Sequence, residues 1–265
     1  MSSDGEPIVR VDNLTHRYAG ADGRLALDGL TLSVQPGEIF GILGPNGSGK
    51  TTLFRILSTL IPTAPGHAFV LGHDVANDRD FVRRHIGVVF QSPSLDKQLT
   101  AEENLVHQGH LYGLRGAQLR ERIAEGLKAV ALGERAGERV GTFSGGMRRR
   151  VEVAKGLLHR PQVLLMDEPS TGIDPSARID MWTQLRAVRD AGVTVLLTTH
   201  LMEEAEHCTR LAIMADGKLL ACDTPAALKQ RIGGDVIMVS SRSPDQLQQT
   251  PSAWSASAAT NGCPA

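Results

Sequence analysis

The fold class predicted for this 265-residue chain is α/β: a mixed sheet with helices, a small antiparallel β subdomain at the amino end, and a helical subdomain inserted midway. Three observations predict it. Brief apolar runs at residues 39–43, 86–90, 163–166 and 193–197 alternate with helix-forming stretches, as in a layered core of parallel strands. Ahead of them, residues 8–34 show half-buried strand character broken by turn residues, which suits a second, antiparallel sheet. Residues 100–141 differ in texture, with helical spacing and little β-branched content.

The elements follow in order. Ile8, Val9 and Val11, then Leu14, His16 and Tyr18, read as a strand; Gly20-Ala21-Asp22-Gly23 suits a turn before strand runs at 25–27 and 30–34. Pro36-Gly37-Glu38 turns the chain into the apolar strand 39–43, which runs straight into a glycine-rich segment. A helix is predicted over 51–60, ended by Pro62, then a strand over 66–72, a short helix over 78–84 and a buried strand ending at Gln91. Helical spacing recurs at 102–111 and 118–130 and again from about Gly146 to His159. Pro161 precedes strand 163–166, a helix over 177–190 leads through Gly192 into strand 194–199, and another helix follows His200. Strands at 211–214 and 218–221 are joined by Asp216-Gly217. Residues 1–239 are expected to form one domain; Ser, Pro, Gln, Thr and Ala dominate 240–265, which reads as a loosely ordered tail.

Composition narrows the function classes. Lys and Arg total 28 against 29 Asp and Glu, so no net positive field recommends nucleic acid as a partner. Arg148-Arg149-Arg150 reads equally as a solvated helix face or a local contact. No apolar run approaches the ~18 residues of a membrane span, and the amino end lacks the basic and apolar regions of a secretion signal. Cys208, Cys222 and Cys263 lack metal-ligand spacing, which fits structural thiols in a reducing, cytosolic compartment.

Gly44-Pro45-Asn46-Gly47-Ser48-Gly49-Lys50-Thr51 fits the phosphate-loop pattern completely, with a strand before it and a helix after it. Backbone N–H groups of residues 46–51 converge on phosphates there, helped by the helix amino end. Lys50 supplies a point charge for the β- and γ-phosphates, Thr51 a hydroxyl for Mg²⁺, and Thr52 a bond farther down the loop. Asp167 ends an apolar strand, where its carboxylate can orient a Mg²⁺ water; Glu168, one residue on, can polarise an attacking water. His200 ends the strand expected beside it and can bond a γ-phosphate or hold Glu168 in place. Gln91 follows a buried strand on the metal side and opens the inserted helical region. The Tyr18 ring suits stacking on adenine, with a plain surface aromatic as the rival reading.

A second glycine segment, Phe143-Ser144-Gly145-Gly146-Met147, can present a helix start and small residues to a phosphate held by another copy. Taken in this order, these residues resemble the nucleotide-binding subunit of an ATP-binding cassette transporter, over about residues 8–229. The resemblance implies a P-loop NTPase core and makes Tyr18 the adenine-stacking aromatic, 44–52 the Walker A segment and Gln91 the Q-loop. It makes Ser144, Gly145 and Gly146 the heart of the signature, Asp167 and Glu168 the Walker B end and base, 170–174 the D-loop and His200 the switch histidine. Two departures stand out: Phe143 and Met147 replace the usual leucine and glutamine, and Ile173 replaces the usual D-loop leucine.

The resemblance also implies ATP and Mg²⁺ as ligands, a head-to-tail pair of nucleotide-binding subunits, and separate integral membrane permease subunits that hold the chain at the cytoplasmic face. Residues 98–105, 143–150 and 198–206 resemble the exporter branch for drugs, lipids or polysaccharides, of the daunorubicin-resistance type. Sodium, nodulation-factor or polysaccharide export by the same engine is the alternative within transport. Outside it stand a soluble cassette protein, which would usually carry two phosphate loops or a long coiled coil, and a small-molecule kinase, which would leave Ser144-Gly145-Gly146 idle.

Overall fold

The computed structural model describes residues 5–19 and 23–232, and the expected turn at 20–23, in all but Gly23, the tail at 240–265 and Cys263 lie outside them. Strand β1 (Val9–Arg17) pairs antiparallel with β2 (Leu25–Val34), and after β3 (Ile39–Leu43) and helix α1 (Lys50–Leu57) come β4 (Ala68–Val70) and β5 (His73–Asp74). These build a four-stranded antiparallel sheet in the order β2-β1-β4-β5, as expected for the amino end. Then come α2 (Arg79–His85), β6 (Ile86–Val89), α3 (Ala101–Leu111), α4 (Gly116–Ala129), α5 (Gly145–Leu157) and β7 (Val163–Asp167). The chain continues through α6 (Pro175–Asp190), β8 (Thr194–Thr199), α7 (Met202–Ala205), β9 (Arg210–Ala215) and β10 (Lys218–Asp223). The unit ends at Pro225, which also opens α8 (Pro225–Ile232).

The larger sheet runs β10-β9-β3-β8-β7-β6, parallel from β9 through β6 with only β10 antiparallel. Because successive side chains of a strand face opposite ways, its apolar runs feed two cores at once. Phe40, Ile42, Val163, Leu165 and Leu196 pack with α1 and the antiparallel sheet. Their neighbours Ile39, Leu164, Met166, Val195 and Leu197 pack with residues of α3, α4, α5 and α6. That is why these strands read as unbroken apolar runs rather than alternating ones.

Several boundaries differ from the sequence expectations. Residues 25–34 form one strand rather than two, since Gly29 takes a left-handed φ of 62° within it instead of ending it. The strand expected over 66–72 shrinks to three residues, because Gly66 and Gly72 are turn positions at φ 85° and 75°. Helix α6 starts two residues early: Asp174 Oδ1 accepts from Ala177 N–H at 2.9 Å as the cap, and Pro175 occupies the first turn. The helix after His200 is a single turn.

Candidate nucleotide-hydrolysis site

Parallel strands β3, β8 and β7 all end at one edge of the sheet, and the chemistry gathers there. The loop from Gly44 leaves β3 with its N–H donated to Thr199 O at 3.3 Å. A Cβ on Gly44 would meet Met214 O at 2.3 Å, and one on Gly49, at φ 102°, would meet Ala26 O at 2.5 Å, so neither position admits a side chain. Within the loop, Ser48 N–H bonds Pro45 O at 3.2 Å, which curls the segment so that α1 opens at Lys50. Asn46, Gly47, Gly49, Lys50, Thr51, Thr52 and Glu168 line one cavity.

Glu168 is the hub. Its Oε2 accepts from Gln91 Nε2 at 3.1 Å and Thr171 Oγ1 at 3.4 Å, and lies 3.4 Å from His200 Nδ1. Its Oε1 lies 3.9 Å from Lys50 Nζ. Lys50 is buried and also donates to Gly44 O at 2.7 Å and Pro45 O at 3.0 Å; burial draws its pKa down, opposed by the charges of Glu168 and Asp167. Asp167 accepts from Thr198 Oγ1 at 2.5 Å, and that same oxygen accepts from Glu168 N–H at 3.0 Å, so one β8 hydroxyl orients both acids. Burial pushes the Asp167 carboxyl above its ordinary value, opposed by hydrogen bonds from Thr198 and Thr51. Thr51 and Asp167 are therefore adjacent oxygen donors of the kind a hard divalent cation takes, and they fit Mg²⁺.

Tyr18 stands beside the loop, sharing a hydrogen bond of 3.2 Å with Thr52 Oγ1 and meeting His16 edge to face at 5.0 Å. Ser144, Gly145 and Gly146 stand apart from this cluster. Ser144 is exposed and caps α5, accepting from Met147 N–H at 3.2 Å. A Cβ on Gly146 would meet the Ala177 Cβ at 2.4 Å, so the glycine also serves the close packing of α5 on α6. The two unusual signature residues share a partner: the Arg135 guanidinium lies 5.0 Å from the Phe143 ring and donates to Met147 Sδ at 3.2 Å.

The solvated-face reading of Arg148-Arg149-Arg150 needs correction. Arg149 is buried, pairs with Glu152 at 2.8 Å, and donates to Phe90 O at 2.6 Å and Gln91 O at 3.1 Å. Arg148 donates to Phe143 O. Glu152, three residues on along the helix, was the available signal for a buried pair. Sequence reasoning also missed Arg24, which donates to Gly47 O at 3.2 Å and lines the cavity; nothing local marks it, because only strand pairing brings β2 to the loop. Of the cysteines described, Cys208 is buried and its thiol is pushed up to about 12, which fits a structural role. Among the described residues no helix is long and apolar enough to cross a membrane.

Known proteins carry the same pattern. The family described as "ABC transporter" matches residues 27–171. The daunorubicin/doxorubicin resistance ATP-binding protein DrrA of Streptomyces peucetius is 45% identical over 238 residues, 89% of this chain and 71% of that protein. The linearmycin resistance ATP-binding protein LnrL of Bacillus subtilis is 38% identical over 232 residues, 87% of this chain and 74% of that protein. An ATP-binding cassette solved as a dimer in a post-hydrolysis state, bound to ADP and Pi, superposes with a TM-score of 0.72 at 30% identity, covering 82% of this chain and 98% of that one. The chain belongs to the ABC transporter family. Its activity is that of the family's ATP-binding subunits: it binds and hydrolyses ATP to drive transport.

Proposed function

We propose that this chain powers the export of a drug-like or lipophilic solute through a separate membrane permease, working as a head-to-tail pair at the cytoplasmic face. The observation that carries the catalytic part is the convergence of Lys50, Gln91 and His200 on Glu168, with Ser144 exposed elsewhere on the same copy. Glu168 is the base that orients the attacking water, and His200 and Gln91 hold its carboxylate in place. Lys50 and the loop N–H groups bind the terminal phosphates. Ser144 and the N–H groups at the start of α5 close over the nucleotide of the other copy. Mg²⁺, held by Thr51, Asp167 and the remaining oxygen of Gln91, would neutralise charge on the phosphate oxygens. Export of a drug-like solute is supported by the resistance functions named for DrrA and LnrL.

Glu168→Gln keeps the size of the side chain and one of its two acceptor oxygens but removes the base. Its expected effect is ATP affinity within about threefold of the parent and kcat lower by ~10²–10³. Hydrolysis near the parent rate would remove Glu168 from the role. For the transport reading, the chain captured with its permease from native membranes is placed in inverted vesicles with an anthracycline. ATP-dependent uptake that Glu168→Gln abolishes supports export; a captured complex that moves no such solute counts against it.

A further inference from the structure

One face of α5 grips the chain that carries Gln91. Arg149 spans two carbonyls, at Phe90 and Gln91, and its partner Glu152 accepts from Ser94 N–H through its other oxygen at 2.6 Å. One turn on, Lys155 donates to Ser94 O at 2.9 Å and Ser94 Oγ at 3.1 Å. The pair is almost wholly enclosed, its side chains 5% and 3% exposed. Burial draws the Arg149 pKa down and pushes that of Glu152 up, the direction expected when enclosure is costly to both charges. A buried pair of this kind is weak support for stability, but it fixes register between the elements it joins. Here the elements are the helix capped by Ser144 and the segment whose Gln91 side chain touches Glu168.

We propose that Arg149 and Glu152 are positioning residues that couple the two nucleotide sites of the dimer. The inference rests on the head-to-tail reading. In such a pair the α5 of one copy closes the other copy's site, while its Gln91 and Glu168 serve its own. A clamp between α5 and residues 90–94 therefore ties closure at one site to the placement of the base at the other. Neither side chain reaches the reacting atoms. The coupling is a free energy shared by two sites, and it appears as positive cooperativity in ATP.

The test uses the purified full chain, with ATP hydrolysis followed against ATP concentration. Arg149→Met with Glu152→Leu removes both charges together and fills their volume, so that neither is left buried alone. The expected result is a parent-like thermal midpoint and first-site ATP affinity within about twofold, with a sigmoidal rate curve turned hyperbolic and cooperativity lowered at least ~5-fold. A folded double variant with the parent's sigmoidal curve would overturn the proposal. Should that variant not fold, Arg149→Lys decides: it keeps the charge but cannot fork across two carbonyls, so its Hill coefficient should fall without a change in midpoint. An unchanged coefficient there also overturns it. The underlying reading is checked apart, by gel filtration of Glu168→Gln with ATP: no dimer refutes the head-to-tail pair itself. A dimer combined with a hyperbolic parent curve refutes only the coupling.

Discussion

Glu168 is placed by its backbone as well as by its partners. It sits at φ 42°, in the left-handed region that a non-glycine residue seldom adopts, and its N–H is held by Thr198 Oγ1. Such a conformation costs on the order of 1 kcal/mol or more and persists where the surroundings over-determine it. It turns the carboxylate away from Asp167 toward Gln91, Thr171 and His200. The acid pair after an apolar run was legible in the sequence; the left-handed backbone was not, since glycine or asparagine would be its usual mark. Tyr18 is the residue whose role rests most on chemistry that the fold leaves open. Its hydroxyl bonds Thr52 while the residue as a whole is more than a third exposed beside the loop. Stacking on adenine predicts that Tyr18→Ala raises the Kd for ATP about 3- to 10-fold, equivalent to ~0.7–1.4 kcal/mol, with Tyr18→Phe close to the parent. If the phenylalanine variant weakens binding as much as the alanine one in equilibrium titration, the hydroxyl and not the ring is what matters.

At the scale of elements, α5 shows how far a linear reading reaches. Its start and approximate end were visible from the glycine pair and Pro161, and its observed span is Gly145–Leu157. Which of its arginines was buried was not visible, because that depends on how residues 90–94 approach it from another part of the chain. The short strands around Gly66 and Gly72, and the early start of α6, were misjudged for the opposite reason: the signals, glycines and Asp174-Pro175, were present and local. Just beyond α5, His159 ties three elements. Its ring stacks on Tyr112 at 3.8 Å, and Nε2 donates to Ile86 O at 2.9 Å, leaving Nδ1 buried without a partner. Burial lowers its pKa to about 4. With a folded pKa below the unfolded value near 6.5, the unfolded chain takes up the proton first as pH falls. The stabilisation is therefore complete above ~6.5 and lost progressively toward pH 4. Allowing for partial exposure, about 2 kcal/mol should disappear across that window in urea unfolding. His159→Gln, which can still donate to Ile86 O, should flatten that part of the profile; an unchanged slope would assign the loss to other groups.

Across the whole molecule, the residues proposed to gather phosphates and position a base meet on one copy, whereas Ser144, Gly145 and Gly146 do not line that cavity and have Met147, Gly172 and Ala177 as neighbours. Both sheets, the inserted helical region and the order of the strands' chemistry at one edge were legible, because each depends on local patterns of apolar spacing. The proposed partnership between copies rests on the resemblance, since a surface that works on another molecule leaves no mark on its own packing. Mixing two defective chains tests it. Lys50→Ala removes the phosphate lysine but leaves Ser144-Gly145-Gly146 intact; Gly145→Asp places a negative charge at the α5 start but leaves the loop intact. Neither chain alone should hydrolyse ATP appreciably. In a mixed dimer, one composite site combines both defects, whereas the other combines an intact loop with an intact α5 start. With random pairing, half the dimers are mixed and each carries one working site, so an equimolar mixture should recover about a quarter of the parent rate. That figure supposes independent sites. If Arg149 and Glu152 couple them, recovery should fall below a quarter and should rise toward it when both chains also carry Arg149→Met and Glu152→Leu, relative to that variant's own rate. Recovery of no activity at any ratio, even when both chains also carry Arg149→Met and Glu152→Leu and with mixed dimers demonstrated by differential tagging, would place Ser144-Gly145-Gly146 outside the partner's site.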